Sequence, residues 1–184
     1  MIRSNHFTRR FVAVIAVVVG LAGTTLACSP EAGIPPAGLD CAWGILGSKS
    51  ALNVAYPDTA ATYWGMKLNV IAGDRVIVEG TFPQARYANF VTYGPTGSAV
   101  DSVTDRDLVA QSGTNPFSDP FSDPGSNGGT YRVEISNDWG PATAGNHLAT
   151  GGVLGSVLYR VYLPTPAAPG APVDPTGGVG LPQV

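Results

Sequence analysis

The stretch Val100 to Asp107, "VDSVTDRD", gathers Asp101, Asp105 and Asp107 around Arg106. Two carboxylates at a suitable separation are what glycoside hydrolysis requires, one as acid and one as base or nucleophile. Asp101 and Asp105 are therefore the candidate catalytic pair, with Arg86 as a cationic helper. The plainer use of such a turn is to accept hydrogen bonds from local backbone N–H groups, and that use is favoured. A second constellation is aromatic and basic: Tyr63-Trp64, Arg86-Tyr87, Tyr131-Arg132 and Tyr159-Arg160-Val161-Tyr162. Adjacent residues on a strand point to opposite faces, so each pair sends one side chain to either side. Tyr63, Arg86, Tyr87 and Arg160 are the candidate ligand contacts. Should Arg86 and Arg160 share a concave face, aromatic-flanked guanidinium groups would take an anionic or sugar ligand. The competing structural role pairs each Arg with a carboxylate such as Asp58 or Asp101 and sends the aromatics into the core.

Other chemistry is thin. Beyond the first 27 residues His147 is the one histidine, within "PATAGNHLATGG". A Ser-His-Asp triad would need it, yet no G-x-S-x-G turn supplies a nucleophile. One His and two Cys do not make a zinc ligand set. "NPFSDPFSDPGSNGG" spaces Asp119, Asp123 and Asn127 four apart. Their oxygens are weak calcium candidates, lacking the bidentate Glu of a calcium loop, and two Asp-Pro turns explain the pattern as well. No cofactor is expected.

The elements that would position these residues are strands. Trp64, Met66, Leu68 and Val70 alternate with Lys67 and Asn69; Val76, Val78 and Phe82 with Arg75, Glu79 and Thr81; Tyr131, Val133 and Ile135 with Arg132, Glu134 and Ser136. That two-residue period belongs to half-buried strands. "RYANFVTY" (Arg86 to Tyr93) and "VLYRVYL" (Val157 to Leu163) are apolar or aromatic on both faces and read as central strands. Ala72-Gly73-Asp74 marks a turn, Phe82-Pro83-Gln84-Ala85 a short hairpin connection and "YGPTGS" another. No stretch carries a persuasive 3.6-residue period. The class is all-β, an antiparallel β-sandwich of jelly-roll type.

The N-terminus reads as an address. A basic segment, "MIRSNHFTRR", precedes 13 apolar or small residues, Phe11 to Gly23. That run is shorter than the ~18–20 residues a spanning helix needs, and it fits a secretory signal ending near Ala27. Thr25-Leu26-Ala27-Cys28 resembles a bacterial lipobox, with Thr25 departing from the usual Leu. The alternative is ordinary cleavage and a Cys28–Cys41 disulfide, whose short loop would contribute ~3 kcal/mol. The flexible "SPEAGIPPAG" after Cys28 tips the reading towards a lipid anchor on that thiol. Residues 28–184 hold seven basic and thirteen acidic side chains, a net −6, which leaves no footprint for nucleic acid. The expected organisation is a signal over 1–27, a Pro/Gly-rich linker over 28–40, the sandwich over 41–163 and a Pro/Gly-rich tail over 164–184. That tail is expected to dock back through Val179 to Pro182.

Six segments in order, "DTAATYW" (Asp58 to Trp64), "GTFPQARYANFVTYG", "AVDSVTDRDL", "GTNPF", "LYRVYLP" and "TGGVGLP", resemble an uncharacterised family of secreted bacterial proteins related to β-sandwich domains of unknown function. The resemblance spans roughly residues 40–184, implies a jelly-roll sandwich and implies no activity. Together these readings describe an exported module at the outer face of the bacterial membrane, lipid-anchored or secreted. It would bind a small ligand, a glycan or an envelope protein without catalysis. The alternatives are a hydrolase built on Asp101 or Asp105 with Arg86, and a purely structural envelope partner.

Overall fold

The computed structural model describes residues 42–47, 60–118, 128–138 and 145–184. Cys28, Cys41, Asp58, Asp119, Asp123 and Asn127 lie outside the described residues, as do all of the segments expected to be a signal (1–27) and a linker (28–40). The elements are β1 (Ile45–Gly47), β2 (Ala61–Asn69), β3 (Val76–Thr81), β4 (Ala85–Tyr93), β5 (Ala99–Thr104), β6 (Ala110–Ser112), β7 (Thr130–Ser136), β8 (His147–Ala149) and β9 (Leu154–Pro164). There is no helix among the described residues.

Five strands form an antiparallel sheet in the order β1-β2-β9-β4-β5. The second sheet runs β3-β7-β6, and β8 pairs with the far half of β7 in parallel, the one parallel contact between these strands. The two strands read as apolar on both faces, β4 and β9, are interior strands of the larger sheet. The two-residue period becomes burial: Trp64, Met66 and Leu68 of β2 are buried while Lys67 and Asn69 are exposed. Tyr131, Val133 and Ile135 of β7 are sealed off, with Arg132 in solvent.

Both sheets contribute to one apolar core. Its spine is aromatic. Phe90 of β4 stacks on Tyr159 of β9 at 4.7 Å and meets Tyr131 of β7 edge-on at 5.7 Å, so the rings tie the sheets together. Trp64 stacks on the other side of Tyr159 at 5.8 Å, and Phe82 meets Tyr131 at 5.2 Å. Offset and edge-on pairs of this kind add ~0.5–1.5 kcal/mol each beyond burial. Tyr131 fits because its cross-strand partner is Gly80; a Cβ there would lie 2.6 Å from the phenol oxygen.

The Phe82-to-Ala85 connection differs from the hairpin expected of it. Strand β3 pairs with β7, whereas β4 pairs with β5 and β9, so this segment crosses from one sheet to the other. Burial of Phe82 between the sheets drives the crossing, and the Gln84 N–H is satisfied by Gly177 O at 3.0 Å instead of by a turn. "YGPTGS" does close a hairpin, β4 to β5, through Gly94 N–H to Ser98 O.

The C-terminal segment lies along the free edge of β3. Glu79 and Gln183 exchange backbone hydrogen bonds of 2.9 and 2.7 Å. Trp43, itself fully buried, donates Nε1–H to Pro182 O at 2.7 Å, and Leu181 packs on the core. An edge strand presents unpaired backbone groups, and this strap covers part of that edge.

Candidate functional site

Asp105 is buried in the turn after β5, and both of its oxygens accept backbone N–H groups, Oδ2 from Ala88 and Oδ1 from Arg106, each at 2.7 Å. Its own backbone N–H returns to Ala88 O at 2.8 Å. Asp105 thus continues the β4–β5 ladder one residue past the strands. Burial pushes its carboxyl above the usual range, the two backbone donors pull it back, and nearby Asp107 adds to the rise. Asp101 accepts from Ser102 N–H at 2.8 Å and from Ala149 N–H at 3.1 Å, joining β5 to β8. Asp107 accepts from Thr104 Oγ1 at 2.6 Å. In each case a carboxylate binds a neighbouring backbone or hydroxyl group, the ordinary work of aspartate in turns.

His147, at the start of β8, has a partner in Ser136 at the end of β7, with Nε2 2.8 Å from Oγ. The Ser136 hydroxyl donates to Asp138 Oδ2 at 2.6 Å, so the histidine must donate to Ser136. This differs from a hydrolytic triad, in which the histidine takes the serine proton and the carboxylate sits on its other nitrogen. Here Ser136 is fully buried and the carboxylate faces the same nitrogen at 3.8 Å. The three residues form a clip that closes the β7–β8 pair.

The aromatic and basic candidates divide. Arg160 of β9 is registered against Tyr63 of β2 on one side and Asn89 of β4 on the other. Its guanidinium lies over two rings, 5.5 Å from the Tyr63 centroid and 5.4 Å from that of Tyr87. The strand register dictates this: Tyr63 is directly opposite Arg160, and Tyr87 is a diagonal neighbour two residues from Asn89 on the same face. All three side chains are half-buried on the outer face of the larger sheet. Cation–π contacts of this kind are worth about 0.5–2 kcal/mol. Arg86 does not join them. It lies three residues from Asn89, hence on the opposite face of β4, and is exposed near the strand end. The Tyr131 and Tyr159 rings are core, as are Trp64 and Val161.

Two polar atoms of this outer cluster are buried without a hydrogen-bond partner: Arg160 Nε and Asn89 Oδ1. Asn89 as a whole is 8% exposed. No ion pair joins Arg160 to a described carboxylate, whereas Arg75 pairs with Glu134 at 2.6 Å and Arg132 with Glu79 at 2.9 Å on the other sheet. Burial pushes the Tyr87 phenol above its usual value; Arg160 works against that rise, and Asp105 and Asp107 add to it. The site is therefore a polar row across the sheet, Tyr63, Arg160, Asn89 and Thr104, with Tyr87 flanking it and Asp107 bonded to its far end. Asn89 was legible only through its phase, two residues after Tyr87 in "RYANF". Ser136 and Asp138 carried no sequence signal before β8 was placed.

A concavity of about 290 Å³ lies between the C-terminal strap and the smaller sheet. Glu79, Thr81, Gln111, Thr130, Leu181 and Gln183 are among its lining residues.

No protein-family model matches the chain, and no match is found among curated proteins. Among solved structures the chain is similar to an uncharacterised protein from Burkholderia cenocepacia, with 14% identity over 69% of this chain and a TM-score of 0.43. It is also similar to the VPA0106 protein from Vibrio parahaemolyticus, with 17% identity over 67% of this chain and a TM-score of 0.41. The matched region is 29% of the first protein and 30% of the second, so the chain spans under a third of either.

Proposed function

We propose that this chain is an exported bacterial envelope protein, anchored through a lipid on Cys28, whose folded part is a non-enzymatic ligand-binding module. The binding surface is the outer face of the larger sheet around Arg160. The observation that carries this reading is the guanidinium stacked between Tyr63 and Tyr87 with no described carboxylate to neutralise it. A half-buried cation flanked by rings is an unfinished electrostatic arrangement that a ligand would complete. The folded part reads as a jelly-roll sandwich. In support, the chain passes from β2 in one sheet to β3 in the other and back to β4, while β9 inserts between β2 and β4 and β7 beside β3. That interleaving is what a wrapped antiparallel double sheet produces.

The test is a thermal-shift screen of the full-length chain with glycans, lipid headgroups and divalent ions. At least one class should raise the melting temperature by several degrees, and Tyr63→Ala with Arg160→Gln should abolish that rise. A screen with no shift for any class would reject the binding reading. The anchor has its own measurement. Mass spectrometry of protein from membranes should find a diacylglyceryl adduct on Cys28, and a two-hydrogen loss shared with Cys41 would replace the anchor with a bridge.

A further inference from the structure

We infer that the groove between the C-terminal strap and the outer face of the smaller sheet receives a neutral saccharide. It lies on the other sheet from Arg160 and does not depend on that face binding anything. The concavity of about 290 Å³ shares Glu79 and Gln183 with a neighbouring one of about 230 Å³, which Ile77, Arg132 and Val184 also line. The two adjoin along the strap, and the first alone is close to the ~300 Å³ lower limit of small-molecule sites. Strand alternation builds the floor. Glu79 and Thr81 face outward because Val78 faces the core, and their partners Arg132 and Thr130 share that side. The strap builds the wall. Gly178 and Gly180 take positive φ of 80° and 76° on either side of Val179, and Thr176 Oγ1 accepts from Gly180 N–H at 3.1 Å. The Glu79–Gln183 pairing holds the far end, so the wall stands before any ligand arrives.

The polar groups of the groove select the ligand. The first concavity offers the amides of Gln111 and Gln183 and the hydroxyls of Thr81 and Thr130. Each of these groups both donates and accepts, as a sugar hydroxyl does. Gln111 and Gln183 are exposed, and their amides bond to no described residue. Charge is already cancelled: Glu79, the one carboxylate lining either concavity, meets Arg132 at 2.9 Å. An acid would be set against Glu79 and a cation against Arg132, so a neutral ligand loses least. Val179 and Leu181 add aliphatic surface for the C–H face of a ring. A purely apolar ligand would cover both amides without replacing their water.

The experiment is calorimetric titration of the full-length chain with cellotriose, maltotriose and triacetylchitotriose, against trigalacturonate and the glucosamine trimer. At least one neutral trimer should bind about tenfold more tightly than either charged one. Gln111→Ala and Gln183→Ala should each weaken that trimer about fivefold, the worth of one net hydrogen bond, with Tm unchanged because both side chains are exposed. Glu79→Gln leaves Arg132 without its partner, so the preference for the neutral trimer over trigalacturonate should narrow about threefold. A ligand of the Arg160 face loses its thermal shift in Tyr63→Ala with Arg160→Gln, whereas the neutral trimer should bind that variant as it binds wild type. Loss of trimer binding there would move the saccharide to the Arg160 face and overturn the groove. Unchanged affinity in both glutamine variants would also overturn the groove. Binding of no neutral trimer, or equal binding of charged and neutral trimers, would overturn the ligand class and leave the Arg160 reading in place. The neutral-to-charged comparison uses the unaltered protein, so a misfolded variant does not spare the inference.

Discussion

Replacing Asp105 by alanine removes the acceptor of two backbone N–H groups at once. The Ala88 bond is buried, and an orphaned buried donor costs ~1–3 kcal/mol. The Arg106 bond is part-buried, where water can substitute, and its loss costs ~0.5–1.5 kcal/mol. Against these stands the relief of no longer burying a carboxylate. The remaining frame, Asp105 N–H to Ala88 O and Asn115 Nδ2 to the residue 105 carbonyl, is backbone-based and survives the substitution. The net loss is about 2–3 kcal/mol, which for a domain of this size lowers Tm by about 6–12 °C. Asp105→Asn keeps one acceptor and should lose about half as much.

The pH dependence separates this clamp from a simple ion. The folded pKa of Asp105 is raised, mainly by burial, so between its unfolded pKa and its folded one the native state holds a proton that the unfolded chain has released. Its stability contribution is greatest below the unfolded pKa of about 3.9 and declines as pH rises through the folded pKa. The asparagine variant lacks that titration, so the gap between wild type and Asp105→Asn should narrow as pH rises. Urea melts of wild type, Asp105→Ala and Asp105→Asn across pH 4–8 measure all of this. An Asp105→Ala protein melting within a degree of wild type would refute the clamp, and a gap that widens with pH would show that the two backbone donors outweigh burial.

Removing residues 177–184 takes away the Glu79–Gln183 pairing, the Trp43-to-Pro182 bond and the Leu181 contact, and should lower Tm by several degrees in calorimetry. Trp43→Phe, losing the indole N–H and some ring area, should cost about 1–2 kcal/mol by urea melt. Gly80→Ala drives a methyl against the Tyr131 phenol and should cost about 1–3 kcal/mol by the same measurement. Ser136→Ala breaks the clip to Asp138 and His147, so hydrogen exchange at Leu148 and Ala149 should speed up well before global unfolding.

The sheet faces were legible in the sequence wherever alternation was strict. Trp64, Met66 and Leu68 against Lys67 and Asn69, or Tyr131, Val133 and Ile135 against Arg132, state which side is wet because burial has a period of two. The central positions of β4 and β9 were legible for the same reason, since apolar residues on both faces need cover on both. Pairing was not legible. Phe82-Pro83-Gln84-Ala85 has the length of a hairpin, and only the burial of Phe82 between layers makes it a crossing. Short strands such as β6 and β8 carry too few residues for any period. The "GTNPF" segment shows the same limit: Asn115 pins it by donating to the carbonyls of Asp105 and Leu108, ten and seven residues earlier, bonds that composition does not announce. At the site, phase places Tyr63 with Arg160 only once β2 and β9 are known to be neighbours, and it separates Arg86 from both.

The two outer faces treat charge differently, and that contrast is the ground for proposing a binding surface around Arg160. On the smaller sheet Arg132 meets Glu79 across β3 and β7, and Arg75 meets Glu134; these pairs are exposed, screened and worth little individually, but they cancel. On the larger sheet the cation is held by aromatic rings, which stabilise its charge without neutralising it. A sheet that needed Arg160 only for stability would gain more from an apolar residue between Tyr63 and Tyr87, since that choice leaves no buried donor unsatisfied. Arg160→Met is therefore the decisive comparison. It should melt at or above the wild-type temperature while losing the ligand-induced thermal shift, and a large loss of stability would make Arg160 a structural residue instead.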